Sequence, residues 1–217
     1  MPPETPRIVL WDWDNTLVDG WAAIQAGLNA AFAAFGMRPW DREEVLAKTR
    51  RALRETFPEM FGAEWERARD IFYAEVRACH LQVVAPMPGA AEALAAVAAA
   101  GLRQAVISNK QGPLLRAEAA HLGWAHHFGA LIGAGDAVAD KPDPAPFRMA
   151  LGALGAEAGP AVWYVGDTAL DMQAARAAGC TAVLLGHASH DGGVTVASPD
   201  LAFGDGAALA KWFLSAR

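Results

Sequence analysis

The 217-residue chain has only two cysteines, Cys79 and Cys180. They lie far apart and outside any CxxC pattern, which excludes a disulfide framework and a cysteine-based zinc site. Two reduced and mostly buried thiols are expected. An excess of positive charge is also missing: 18 Lys+Arg against 24 Asp+Glu leave a net charge of −6. That balance argues against a broad nucleic-acid-binding face. An anionic substrate stays open, because a local cation can reverse the field inside one pocket. Long hydrophobic runs are absent. The longest near-continuous one, residues 93–102, falls well short of the about 20 residues that span a bilayer. The short, Pro-rich stretch 1–7 carries no apolar signal core. A soluble, cytoplasmic protein without nucleic-acid or membrane partners is therefore expected. The six histidines show no metal-ligand spacing. His126 and His127 are adjacent, would diverge on a helix, and are expected to end one, where positive charge is favourable.

Against these absences stands a chain that is 53% apolar and 19% charged, a composition for a globular core. Its length suffices for one well-buried core plus a modest second unit. The stretch Ile8-Val-Leu-Trp-Asp12-Trp-Asp14-Asn15-Thr16 begins as a buried strand and ends in two carboxylates and a hydroxyl. Central parallel strands are apolar on both faces. Acids at the carboxyl end of such a strand lie in the crevice where open α/β sheets bind ligands. Asp12 and Asp14, two residues apart, project to one side if the backbone stays extended. By themselves they are compatible with a metal-ligand pair, an acid–base pair, or a nucleophile and its acid–base partner.

After Leu17 the period becomes helical. Trp21, Ile24, Leu28, Ala31, Phe32 and Phe35 form one stripe, closed by Gly36. Asp41 caps a second helix expected to run to about Thr56, and a third covers 63 to about 81. From Pro86 onward, short apolar strands alternate with helices. Strands are expected at 104–108, 130–132, 161–165 and 181–185, with a weak one at 201–203. Pro88 and Gly89 open a helix that ends at Gly101, further helices are expected at 114–122, 146–154, 168–178 and from Gly206, and 186–199 reads as a loop. This alternation indicates a parallel sheet covered on both faces. The expected architecture is an α/β, three-layer, Rossmann-like core from 1–18 and 86–217. A helical cap, 19–85, is inserted after the first strand.

Polar residues interrupt the pattern at four strand ends: Asp12/Asp14/Thr16, Ser108-Asn109-Lys110, Lys141, and Asp167-Thr168-x-x-Asp171. Thr168-x-x-Asp171 also reads as a capping-box variant, so Asp171 is open to capping or to orienting a metal ligand. Asp143 reads as a turn residue. Trp13, between the two acids, could form a pocket wall. Lys48, Arg50, Arg51 and Arg54 are either a solvated helix face or a source of one cation for an anionic substrate group.

In order and spacing, the four places resemble the motifs of the haloacid dehalogenase superfamily of hydrolases, closest to its phosphoglycolate-phosphatase-like members. Asn15 stands where glycine is frequent in that family, and Asn tolerates the unusual backbone angles needed there. The resemblance implies a Mg²⁺-dependent phosphatase acting on a small-molecule phosphate monoester through an aspartyl-phosphate, with 2-phosphoglycolate as the leading substrate. It implies Asp12 as nucleophile and Asp14 as acid–base group. Lys141 would balance charge, and Thr16, Ser108, Asn109 and Lys141 would lie around the phosphate. Asp12, Asp14 and Asp167 would hold Mg²⁺, with Thr168 and Asp171 behind them. A monomer or homodimer is compatible with this. A sugar-phosphate phosphomutase of the same fold and a non-catalytic metal- or phosphate-binding module are the alternatives. Dehalogenation is disfavoured because a halide leaving group has no use for the second acid, Asp14.

Overall fold

The computed structural model describes residues 4–49 and 53–215. The chain divides into two compact units, Met1–Val18 with Pro86–Arg217, and Asp19–Ala85.

The first unit grows from β1 (Ile8–Trp11), whose four side chains are all buried. The chain leaves this unit through β2 (Val18–Asp19). Within the second unit come α1 (Trp21–Ala34), α2 (Arg42–Lys48), α3 (Leu53–Phe61) and α4 (Trp65–Val83). Through β3 (Ala85–Pro86) the chain re-enters the first unit. There follow α5 (Ala90–Ala99), β4 (Arg103–Gln111), α6 (Gly112–His121), β5 (Leu131–Ala134) and α7 (Ala145–Ala153). The remainder is β6 (Val162–Gly166), α8 (Ala169–Ala177), β7 (Thr181–Leu185), α9 (Gly193–Ala197), β8 (Leu201–Phe203) and α10 (Gly206–Ser215).

The main sheet has the order β5-β4-β1-β6-β7-β8, and every pairing in it is parallel. The chain builds outward from β1 to β4 and β5, then crosses to β6 on the other side of β1. This reversal of direction beside β1 is the kind of switch point that opens a crevice at the carboxyl ends of the strands. A core of Leu10, Ile107, Tyr164, Ala182 and Leu184 from the strands packs with Phe147, Leu151 and Met172 from α7 and α8. The α/β fold with its central parallel sheet and inserted helical segment is the one expected.

The second unit packs Leu28 and Phe32 of α1, Phe57 of α3 and Phe72 of α4 into its own buried centre. Gly27 allows the close approach of α4: a Cβ there would lie 2.7 Å from the Phe72 ring. Asp41 caps α2, accepting from the Glu44 N–H in a full capping box.

The differences from expectation are local. The second helix does not run to Thr56; α2 stops at Lys48, where the Thr49 hydroxyl bonds back to the Val45 carbonyl, and α3 resumes at Leu53. Such side-chain competition for a helix carbonyl is typical of threonine. Segment 186–199 contains the short helix α9 and a 3₁₀ turn, Ser189–Asp191. His126 and His127 do end a helix, though a short 3₁₀ one and not α6. They lie in a separate 3₁₀ turn, Ala125–His127, after α6 has closed, with His126 Nδ1 2.7 Å from the Gly123 carbonyl.

Candidate active site

Asp12 follows directly on β1, and its N–H donates to the Val165 carbonyl of β6 at 2.8 Å. The chain then turns tightly, with the N–H groups of Leu17 and Val18 both donating to the Trp13 carbonyl. Asn15 sits at φ +63°, a left-handed angle at which its short amide side chain is tolerated. This turn brings Asp12 and Asp14 to one pocket.

The other walls come from the neighbouring strands. The β4–β5 ladder slips between Ile107 and Gln111, and Ser108, Asn109 and Lys110 occupy that slip. Irregularities of this kind re-aim side chains beside binding sites. Past β6, Gly166 lets α8 approach closely; a Cβ there would lie 2.4 Å from Asp171 Cβ. Asp12, Asp14, Ser108, Asn109, Lys110, Lys141, Asp167, Thr168 and Asp171 thus surround a pocket of about 250 Å³. Every residue on that list belongs to the first unit.

Lys141 is the hub. Its side chain is 3% exposed, and the ammonium donates to Asp12 Oδ1 at 2.8 Å, Asp171 Oδ1 at 2.7 Å and the Tyr164 hydroxyl at 2.8 Å. Those three bonds use all its protons. Its backbone is held by the Asn109 side chain. Asp171 is saturated as well. Lys141 donates to Oδ1, with the Tyr164 hydroxyl oxygen 3.2 Å away, and the Asp167 N–H, Thr168 N–H and Thr168 hydroxyl donate to Oδ2. Thr168 and Asp171 form the capping box of α8. Of the two roles the sequence left open for Asp171, the structure shows the cap, and it adds a bond to the lysine that the sequence did not suggest.

Three carboxylates crowd this place. Ligand atoms of Asp12, Asp167 and Asp171 lie within 4.8 Å of one another, all buried, and Lys141 supplies one positive charge among them. Burial, against the pull of the Lys141 charge, pushes Asp12 up to about 6. Burial, with Asp171 and Asp12 adding repulsion, holds Asp167 well above the usual carboxylate range. Burial opposes ionisation of Asp171 too, but the Lys141 charge and hydrogen bonds outweigh it and keep it low. Burial works against the charged form of Lys141, yet Asp12 and Asp171 raise it, so it stays protonated. Two carboxyls that resist ionising beside one that does not are short of positive charge. A divalent cation on Asp12 and Asp167 would supply it, and an all-oxygen donor set is the kind a hard cation takes.

Some residues lie elsewhere than their pattern suggested. Thr16 does not face the pocket. It is fully buried, and its hydroxyl donates to Asp167 Oδ1 at 3.1 Å, so it orients a carboxylate rather than a phosphate. Trp13 is no pocket wall. It is fully buried, edge-on to Trp124 and Phe128. Of the basic cluster, Lys48 pairs with Glu44 at 2.9 Å and lies over the Trp40 ring. Arg50, Arg51 and the side chain of Arg54 fall outside what the structure describes.

Three residues at or behind the site were given no role by the sequence: Lys110, Glu118 and Tyr164. Two of them carry a signal. Glu118 is a charge on the helical stripe of Leu114, Leu115 and Ala119, where an apolar residue is expected. Tyr164 is a phenol in an otherwise apolar buried strand, and a buried hydroxyl there needs a partner. It donates to the Ile107 carbonyl at 2.8 Å.

The family described as haloacid dehalogenase-like hydrolase matches residues 9–185. A phosphoglycolate phosphatase of Xylella fastidiosa is 36% identical over 193 residues, covering 86% of this chain and 83% of that protein. One from Rhodospirillum rubrum is 32% identical over 220 residues, covering 95% and 90%. Among solved structures, a haloacid dehalogenase-like hydrolase from Streptococcus pneumoniae has a TM-score of 0.83 at 18% identity. It covers 96% of this chain and 98% of its own; at that identity the likeness concerns the fold. Among the described residues, no helix is long and apolar enough to cross a membrane.

Proposed function

The chain belongs to the haloacid dehalogenase-like hydrolase family, and we propose that it is a Mg²⁺-dependent phosphatase that carries the phosphoryl group on Asp12. The observation that carries this reading is the placement of Asp12. Its buried carboxylate ends β1, is aligned by Lys141 at 2.8 Å, and faces a pocket shared with Asp14, Ser108 and Asp167.

In the first half-reaction an Asp12 carboxylate oxygen attacks phosphorus and the bond from phosphorus to the ester oxygen breaks. Asp14 gives its proton to the departing alkoxide. In the second, water attacks the aspartyl-phosphate, Asp14 takes the proton, the bond from phosphorus to Asp12 breaks and inorganic phosphate leaves. Proton transfer of this kind contributes about 10²–10⁴ in rate. The Ser108 hydroxyl, which lines the pocket, would donate to a phosphate oxygen. Lys141 holds Asp12 in its anionic, attacking form and faces the incoming negative charge. Asp12 and Asp167, with the Asp14 backbone carbonyl, would hold Mg²⁺, which when bound neutralises charge on the transferring oxygens. The repulsion it offsets is substantial: about 4 kcal/mol per unit-charge pair at 4 Å and an effective dielectric of 20. The curated relatives named phosphoglycolate phosphatase make 2-phosphoglycolate the substrate we favour. A pocket of about 250 Å³ suits a compact phosphate monoester.

The test is phosphate release from a panel of small phosphate esters that includes 2-phosphoglycolate. Turnover is expected with Mg²⁺, none with EDTA, and none for Asp12→Asn with its fold retained. Turnover persisting in Asp12→Asn, or in EDTA, overturns the mechanism. A clear preference for another ester overturns the substrate alone.

A further inference from the structure

Glu118 breaks the rule of its helix. α6 turns Leu114, Leu115 and Ala119 into the core, and Glu118 goes with them at 1% exposure. Both its oxygens are engaged. Oε1 accepts from Lys110 Nζ at 2.9 Å, and Oε2 accepts from the Trp13 indole N–H at 2.7 Å. Lys110 Nζ also donates to Asp14 Oδ1 at 2.8 Å.

Glu118 is therefore tied to Asp14 by two routes. One runs through the Lys110 ammonium, which bridges the two carboxylates. The other runs through Trp13, the residue between Asp12 and Asp14, whose indole is locked by Trp124 and Phe128. Lys110 and Asp14 line the pocket, whereas Glu118 and Trp13 lie behind it. A partly exposed aspartate paired with a mobile lysine would gain little order from the pair. Here the lysine is not mobile, because a buried carboxylate holds its far side. An apolar side chain would suit position 118 of the helix at less desolvation cost. The charge there has its use in geometry.

We infer that Glu118 is a positioning residue for proton transfer: through Lys110 and Trp13 it fixes the Asp14 carboxylate within reach of the leaving-group oxygen. The inference rests on the assignment of Asp14 as the acid–base group. Its consequence is selective. Substrates whose alcohols leave poorly depend on a well-placed proton donor, and those with stable phenolate leaving groups do not.

The experiment measures kcat/KM for a series of phosphate esters from nitrophenyl to simple alkyl. That ratio runs only through the first phosphoryl transfer. Glu118→Ala is expected to lose about 10- to 100-fold on alkyl esters and to stay within about threefold of the parent on nitrophenyl phosphate. Asp14→Asn, run in parallel, should show the same tilt, more steeply. An equal loss across the series for Glu118→Ala, beside a tilted Asp14→Asn, overturns the inference and leaves the acid–base reading standing. A flat Asp14→Asn series overturns both. If circular dichroism shows that Glu118→Ala does not fold, Glu118→Gln replaces it. Its one amide oxygen stands in for two acceptor oxygens, so one of the two links to Asp14 is lost. A smaller tilt in the same direction is expected, and a uniform loss counts against the inference equally.

Discussion

Asn109 grips the backbone of Lys141 from both sides. Its side-chain oxygen accepts from the Lys141 N–H at 3.0 Å, and its side-chain nitrogen donates to the Lys141 carbonyl at 3.1 Å. One amide at the slipped end of β4 thereby anchors the loop that delivers the central ammonium of the site.

Replacing that amide should be felt at the chemistry. Asn109→Ala leaves two backbone groups of a nearly buried residue without partners, costing about 1–3 kcal/mol of stability. Lys141 would also lose its alignment on Asp12. Small misplacements of this kind cost up to about 100-fold in rate, and a 10- to 100-fold drop in kcat is expected from steady-state assays with Mg²⁺ saturating. Full activity in Asn109→Ala would show that the Lys141 loop needs no such anchor.

Metal should bind the folded protein and raise its melting temperature. At a hundredfold excess over its dissociation constant a ligand adds about 2.7 kcal/mol, or roughly 5–10 °C for a chain of this size. Asp167→Asn should abolish that increment, because it removes one of the two proposed carboxylate ligands. Without metal the same variant should melt no lower than the parent. Its amide oxygen can still accept from Thr16, and a buried carboxyl that resists ionising has been removed. Thermal scans with Mg²⁺ and with EDTA check both halves. An undiminished Mg²⁺ shift in Asp167→Asn would place the ion elsewhere.

Gly166→Ala tests the close approach of α8 to β6. Its new Cβ would lie 2.4 Å from Asp171 Cβ and 2.5 Å from Asp171 Cγ. β6 is pinned between β1 and β7, so the strain falls on the Asp171 carboxylate that orients Lys141. Overpacking of this sort costs about 1–3 kcal/mol or more. Urea denaturation should show that loss together with a fall in turnover. An unchanged midpoint would mean that α8 moves away freely.

Cys180 should be chemically quiet. Burial pushes its thiol up to about 11, with a small opposing effect from the Gly159 backbone. A folded-state value raised in this way keeps the thiol protonated, so at pH 8 it presents about 100-fold less thiolate than an ordinary cysteine. Iodoacetamide labelling of the native protein at pH 8, mapped by mass spectrometry, should modify Cys180 far more slowly than in denaturant. Equal rates in the two states would contradict the burial.

The sequence by itself determined the parts whose signal is local. Apolar runs such as 8–11 and 181–185 become buried strands because a parallel strand covered on both faces has no polar side to show. The acids that break those runs, Asp12 and Asp167, stand just past strand ends because only there does a chain leave the packed layer, whereas Ser108, expected at a strand end, lies inside β4 at its slip. The angle at Asn15 and the cap formed by Thr168 and Asp171 are likewise matters of a few neighbouring residues. Tertiary structure alone decided which groups share a bond. Lys141 is 129 positions from Asp12, Lys110 is 96 from Asp14, and Glu118 is 105 from Trp13. No periodicity encodes such pairs; strand order and sheet register bring them together. The same holds for Thr16, which the motif placed near phosphate and the fold turned inward to Asp167. A hydroxyl's residue type does not say which way it faces when two polar partners lie within its reach, and packing makes that choice.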